Sequence, residues 1–170
     1  MKMNYKNKGT TLVETIIYVA IFSMIITAFV SFSSSMTSTR LNNQNVLEVN
    51  DQGIKAMKII TQTIRNSSQV NSPTIGNTAS NLSLVTYTPA NNPTVFSVTS
   101  GVLYITEGGG SQIALTNNKV VVSNLTFSNL SRPSTSDIVK ISFTLASTST
   151  ASSPGGTYSF SFNGSAELRK

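Results

Sequence analysis

Residues 10–32 read TTLVETIIYVAIFSMIITAFVSF, and this stretch constrains the fold of the whole chain. No charged residue occurs between Glu14 and Arg40. A helix rises about 1.5 Å per residue, so an apolar run of this length can cross a hydrocarbon layer about 30 Å thick. The sequence therefore predicts a membrane-spanning helix in residues 10–35.

The helix is expected to continue well beyond the membrane. Neither proline nor glycine occurs from Thr10 to Gln52, so nothing in the sequence ends the helix at the membrane surface. After the apolar run, apolar residues recur at intervals of three, four and seven, which indicates one helical face. We predict one helix from about Thr10 to about Asn66, whose second half, residues 36–66, is amphipathic. Its apolar face is predicted to contain Val46, Gly53/Ile54, Met57, Ile60 and Ile64.

The remaining sequence has the pattern of a β domain. From residue 80 onward the apolar period changes to two, which is typical of strands with one buried face. The polar residues 67–73 end the helix, so we assign residues 67–170 to an extracytoplasmic domain. We expect an α+β fold in which an antiparallel sheet packs on the amphipathic half of the helix. The predicted strands are Leu82–Tyr87, Val95–Val98, Val102–Thr106, Gln112–Leu115, Val120–Val122, Leu125–Phe127, Ile138–Leu145 and Thr157–Phe162.

The composition excludes several kinds of chemistry. The chain has no cysteine and no histidine, which excludes disulfides, thiolate metal sites and Ser-His-Asp catalysis. Of its six acidic residues only Glu48 and Asp51 lie near each other along the chain, so a paired-carboxylate site is not indicated. Charged residues make up 11% of the chain, against about a quarter in soluble domains. We expect no enzymatic activity, no cofactor and no metal site.

The nine residues before the apolar run bear on membrane orientation. They read MKMNYKNKG and contain three lysines and no acidic residue. Basic residues are enriched on the cytoplasmic side of membranes, so we expect the N-terminus inside and the domain outside. A cleaved secretory signal or a plain signal anchor is the simpler interpretation. No clear small-x-small cleavage site follows the run, however, and a plain anchor gives no reason for Glu14, because a charge in an apolar span usually marks function.

Gly9, the T-T-L-V-E run and the apolar span together resemble the class III signal of type IV prepilins and pseudopilins, whose usual form is G-F-T-L-[VI]-E. The resemblance implies a pilin-like fold and a leader peptide of residues 1–9 that a prepilin peptidase removes by cutting after Gly9. Thr10 then becomes the mature N-terminus and Glu14 is the filament-assembly glutamate. The family usually has Phe at the position of Thr10, so N-methylation of Thr10 is a separate expectation from cleavage.

Short motifs in the β region resemble the minor pseudopilins of the J and W types. With the N-terminal signal, they imply a minor structural subunit of a type IV pilus-like or type II secretion-like filament. The implied partners are other pilin or pseudopilin subunits, a prepilin peptidase and an inner-membrane assembly platform. A nucleic-acid partner is implied only for a filament that takes up DNA. The motifs are Val102–Tyr104, Val121–Phe127, Ile141–Leu145 and Ala166–Lys170.

The resemblance also implies a location. The chain is expected to be a single-pass protein of the inner, or cytoplasmic, membrane with its C-terminal domain outside, and later part of a periplasmic or extracellular filament. The alternative is a membrane-anchored surface binding or adhesion protein that does not polymerise. Glu14 and the Gly9 junction distinguish the two, because a mere anchor needs neither.

Two sets of surface residues have a functional and a simpler interpretation. A basic patch could bind DNA or an acidic partner, but solvated surface charge is the simpler interpretation; its members are Arg132, Lys140, Arg169 and Lys170. Three tyrosines could form a ligand platform, but half-buried strand positions are the simpler interpretation; they are Tyr87, Tyr104 and Tyr158.

Cleavage after Gly9 gives the first testable prediction. Mature protein extracted from membranes should begin at Thr10, because the basic leader ends in Gly9 ahead of the T-L-V-E run. Its net charge should fall from +6 to +3, since three of the twelve basic residues lie in residues 1–9. Intact-mass measurement and N-terminal sequencing check this start. A protein that begins at Met1, or after residue 30, would contradict the resemblance to prepilins.

Overall fold

The computed structural model describes residues 9–133, 135–149 and 156–169. In this part of the chain one long helix, α1 (Leu12–Arg65), precedes nine strands and a short 3₁₀ turn at Pro89–Asn91. The predicted α+β order of a long N-terminal helix and antiparallel strands is confirmed. The strands are β1 (Ser67–Ser72), β2 (Thr78–Ala79), β3 (Leu82–Thr86), β4 (Thr94–Thr99), β5 (Val102–Glu107), β6 (Ile113–Ala114), β7 (Val120–Asn129), β8 (Ile138–Ser147) and β9 (Ser159–Glu167).

Helix α1 runs unbroken from its apolar half into its amphipathic half. It has 54 residues and is therefore about 81 Å long. Its ends lie within two residues of the predicted ends. The N–H of Asn66 donates to the carbonyl of Gln62 at 3.0 Å, which closes the last turn. Arg65 occupies that turn, where the partial negative charge of the helix end favours a cation.

The strands form two antiparallel sheets instead of the single sheet that was expected. One sheet has the order β1-β3-β4-β5-β6 and the other the order β2-β7-β8-β9. The two sheets meet where the N–H of Val122 on β7 donates to the carbonyl of Gly101 at 2.7 Å, in the turn between β4 and β5. Their buried apolar side chains and those of the helix form one continuous core.

The second half of α1 packs against the sheet that contains β7, β8 and β9. Ile54, which the sequence placed on this face, is 63% exposed, so that assignment was wrong. Gly53 occupies the contact instead, and Ile54 lies about 100° further round the helix. Met57 is half-buried beside the core, and Val46 is also half-buried. The buried helix residues recur at intervals of three and four and are Val49, Gly53, Ala56, Ile60 and Ile64.

Two glycines bring the helix and β9 into close contact. A Cβ atom on Gly53 would lie 2.0 Å from Cζ of Phe162, so only glycine leaves room for that ring. Phe162 also stacks on Phe143 of β8, with ring centroids 5.3 Å apart. In the opposite direction, a Cβ atom on Gly164 would lie 2.9 Å from Sδ of Met57. Each of the two elements therefore has a glycine at the point where a large side chain of the other element packs against it.

The eight predicted strands correspond to the seven strands β3 through β9, because two of them form a single strand. Val120–Val122 and Leu125–Phe127 belong to one strand, β7, whose pairing with β8 shifts register between Ser123 and Thr126. Asn124 lies in that shift with a φ of 51°, which is the left-handed region that asparagine tolerates better than most residues. The sequence therefore suggested an interruption where β7 has a bulge.

Strands β1 and β2 were not predicted. The polar residues 67–73 were interpreted only as the end of the helix, but β1 pairs with β3 in this segment. The sequence of β1 is SSQVNS, with Val70 as its one apolar residue, so it lacks the alternation that identifies strands. A side chain from elsewhere in the domain also bonds to the main chain of β1: the N–H of Val70 donates to Oδ2 of Asp137 at 3.2 Å.

Glu48 connects the helix to the loop before β7. Its Oε1 accepts from Nδ2 of Asn117 at 2.7 Å and from Nε2 of Gln52 at 3.1 Å. Lys119 lies nearby, with Nζ 3.8 Å from Oε2. The Asn117 hydrogen bond is the main cause that lowers the pKa of Glu48 below its ordinary value of 4.5, and Gln52 and Lys119 act in the same direction. Asp51 pairs separately with Lys55 at 2.6 Å, so the two acidic residues have different partners.

The Gly53 contact predicts the effect of a small substitution. Gly53→Ala should destabilise the protein by about 1–3 kcal/mol, because the added methyl group overpacks the Phe162 ring. Helix propensity alone predicts the opposite sign, a gain of about 1 kcal/mol. Thermal unfolding of the detergent-solubilised protein, followed by circular dichroism, measures the difference.

The neighbouring Ile54→Ala provides a matched control, since this exposed side chain should change the unfolding free energy by about 0.5 kcal/mol or less. A Gly53→Ala variant that is more stable than wild type would show that the ring does not limit the space at this position.

The lowered pKa of Glu48 predicts a dependence on pH. A carboxyl group whose folded-state pKa is depressed adds stability above its unfolded-state pKa, and that stability is lost as the pH falls through the folded-state value. Glu48→Ala should therefore cost about 1 kcal/mol at pH 7, and the difference from wild type should shrink below about pH 4.5. Unfolding midpoints from pH 7 to pH 3 test this expectation. Asp51→Ala is the control, because its ion pair is exposed and is expected to contribute little.

Candidate functional site

The first half of α1 is a candidate membrane span. By length and composition it is long and apolar enough to cross a membrane, and none of its most apolar window is buried by the rest of the described chain. Such a surface is unfavourable in water and requires lipid or other apolar helices around it. Its exposed large apolar side chains are Leu12, Val13, Ile16, Ile17, Tyr18, Val19, Ile21, Phe22, Met24, Ile25, Ile26, Phe29, Val30, Phe32 and Met36.

The polar side chains within this span bond to the helix itself. Hydroxyl groups at Ser23, Thr27 and Ser31 donate to the carbonyl four residues earlier, at 2.7, 2.8 and 2.9 Å. These bonds satisfy the hydroxyl protons inside the helix, so the residues can face lipid without an unpaired donor. The polar positions of the span are therefore compatible with a hydrocarbon environment.

The predicted cleavage junction lies immediately before α1. Residues 1–8, most of the predicted leader, fall outside the described residues. Gly9 and Thr10 are exposed and precede the helix, and no described residue other than the chain neighbours of Gly9 has an atom within 4 Å of where a Cβ atom on Gly9 would be. Thr11 is the N-cap, and its hydroxyl accepts from the N–H of Glu14 at 3.3 Å. The described part of the junction is therefore an exposed, non-helical segment next to a capped helix.

Glu14 lies in the first turn of α1 and is half-buried. The phenol hydroxyl of Tyr18, one turn later, donates to its Oε1 at 2.7 Å. Within the described ranges no donor is bonded to Oε2. The sequence analysis identified Glu14 but missed Tyr18, although a spacing of four in a helix places two side chains on the same face.

The other candidate residues are distributed over the domain. Arg132, Lys140 and Arg169 are exposed, which agrees with solvated charge, and Lys170 lies outside the described residues. Tyr87 was expected to be half-buried in a strand, but it is 64% exposed just after β3. Its hydroxyl donates to the carbonyl of Arg169 at 2.9 Å, so it connects the end of β3 to the C-terminal segment.

Tyr104 is half-buried on β5, as expected. Tyr158 is half-buried too but lies just before β9. Among the described residues, no group of three or more acidic side chains is close enough to hold a metal ion. The candidate site is therefore the start of α1, where the carboxyl group of Glu14 lies at the beginning of an apolar span.

Comparison with known proteins adds no assignment to this geometry, because no family model, no curated protein and no solved structure matches the chain.

Proposed function

We propose that this chain is a structural subunit, a minor pilin or pseudopilin, of a type IV pilus-like or type II secretion-like filament. The observation that carries the proposal is the arrangement of α1, which has one carboxylate at the start of an uncovered apolar half and a β domain on the other half. The single-pass inner-membrane location and the prepilin peptidase and assembly platform as partners belong to the same proposal.

The uncovered half of α1 supports assembly through helices. In the membrane, lipid covers the apolar side chains of residues 12–36. A subunit that leaves the membrane must cover the same surface by other means, and the corresponding helices of other subunits have the same apolar character. A bundle of such helices, with the β domains outside, buries this surface in a filament.

Glu14 supports a defined register between subunits. A carboxylate in an apolar environment is costly unless it is paired. Cleavage after Gly9 would create a new amine at Thr10, four residues before Glu14. We propose that the amine of one subunit pairs with the Glu14 carboxylate of its neighbour. Because both charges are costly when unpaired, the pair favours the one register that brings them together.

Glu14→Ala tests this proposal. The variant should insert in the membrane, because its span is more apolar, and it should be cleaved after Gly9 like wild type. Its incorporation into sheared filaments should fall, since removal of one partner of a buried pair costs roughly 3–5 kcal/mol, which is a factor of hundreds or more. Quantitative immunoblotting of filament and membrane fractions measures incorporation.

Glu14→Gln and Ser23→Ala are the controls for this experiment. Glu14→Gln keeps the shape of the side chain without its charge and should assemble as poorly as Glu14→Ala. Ser23→Ala removes only a hydroxyl bonded within the helix and should assemble like wild type. Equal incorporation of Glu14→Ala and wild type would remove the pairing mechanism. Absence of the wild-type chain from sheared filaments would favour the alternative, a membrane-anchored surface binding or adhesion protein that does not polymerise.

A further inference from the structure

Tyr18 holds the Glu14 carboxylate inside the apolar span. Its hydroxyl lies 2.7 Å from Oε1, a distance typical of a strong hydrogen bond to a charged acceptor. Helical side chains tilt toward the N-terminus, so the Tyr18 ring points back toward Glu14 along the same face. The ring is 58% exposed and belongs to the uncovered surface of the span.

This bond provides the carboxylate with a donor where water is scarce. A carboxylate has about four acceptor positions, and leaving it without donors in hydrocarbon is costly. The N–H of Glu14 donates to Thr11 and so gives nothing to its carboxylate. In the part of the chain that the structure describes, the hydroxyl of Tyr18 is the donor to Oε1, and Oε2 is left open.

The bond also restricts the motion of the side chain. Glu14 has three rotatable side-chain bonds, and ordering such a side chain during docking costs free energy. With Oε1 held by Tyr18, the position of Oε2 is limited before any neighbour arrives. A preorganised acceptor binds its partner more tightly than a mobile one, because less entropy is lost in the complex.

We propose that Tyr18 is the positioning residue for subunit docking. It holds Oε1 of Glu14 and presents Oε2 to the terminal amine of the incoming subunit. This inference rests on the proposed function, since it assigns the residue that prepares Glu14 for pairing. A ring that serves only as an anchor at the membrane interface would need no bond to Glu14.

Tyr18→Phe removes the hydroxyl and keeps the ring. The fold should be unaffected, because the lost oxygen belongs to an exposed side chain. Cleavage after Gly9 should continue, while incorporation into sheared filaments should fall about tenfold, as expected for the loss of a hydrogen bond to a charged group. Tyr104→Phe, in the β domain, is the matched control and should assemble like wild type.

A second pair of variants tests whether Tyr18 acts through Glu14. Glu14→Asp keeps the charge but shortens the side chain, so it should lose the Tyr18 bond and lower incorporation. Once that bond is absent, adding Tyr18→Phe should lower incorporation no further. Additive losses in the double variant would overturn the inference, because they would show that the hydroxyl acts elsewhere.

Infrared spectroscopy provides a readout that does not depend on filaments. In lipid vesicles, Tyr18→Phe should shift the carboxylate stretching band of Glu14, identified by its absence in Glu14→Gln. An unchanged band would also overturn the inference.

The two proposals fail in different ways. If the wild-type chain is absent from sheared filaments, the proposed function is wrong whatever Tyr18 does. If wild type and Glu14→Ala assemble equally well, the Glu14 pair is wrong, and the role of Tyr18 is wrong with it. If Glu14→Ala fails to assemble and Tyr18→Phe assembles like wild type, only the role of Tyr18 is wrong.

Discussion

One helix has to satisfy two environments, and the rest of the structure depends on this constraint. Its main-chain groups are bonded internally, so the helix can pass from an apolar surrounding to an aqueous one without a break. What changes along the helix is what surrounds its side chains. The apolar half has no partner in the described chain, whereas the second half is covered by a sheet from about Val49 onward. The β domain therefore covers only the half of the helix that the membrane would leave exposed.

Much of the fold could be predicted because it follows from patterns among residues that are close together in the sequence. The absence of glycine and proline up to Gln52 predicted a continuous helix, and the period of two predicted most strands. The helix face at Gly53 and Ile54 could not be assigned correctly, because a glycine in a helix looks like a gap in the apolar pattern. Its role depends on Phe162, more than a hundred residues later. Strand β1 was missed for a similar reason, since its extended structure depends on pairing with β3 and on the hydrogen bond to Asp137.

The candidate site shows the same division between local and distant information. Gly9, Thr10 and Glu14 lie within six consecutive residues, so their pattern could be recognised without a structure. The bond between Tyr18 and Glu14 could also have been predicted, because a spacing of four is local to the helix. The Asn117 partner of Glu48 could not be predicted, because it lies 69 residues away and only the tertiary fold places it beside the helix.

The glycine contacts between α1 and β9 fix the angle at which the domain leaves the helix axis. Gly53 and Met57 engage β9 on consecutive turns of the helix, and Glu14 lies 39 residues before Gly53, about 58 Å along the uninterrupted helix. The rotation of Glu14 about the helix axis, relative to the β domain, is therefore fixed. One residue inserted in the uncovered part of α1 would turn Glu14 by about 100° relative to the sheets and raise the domain by about 1.5 Å. The number of residues in the helix, and not only their character, thus determines which way the β domain faces when the carboxylate meets its partner.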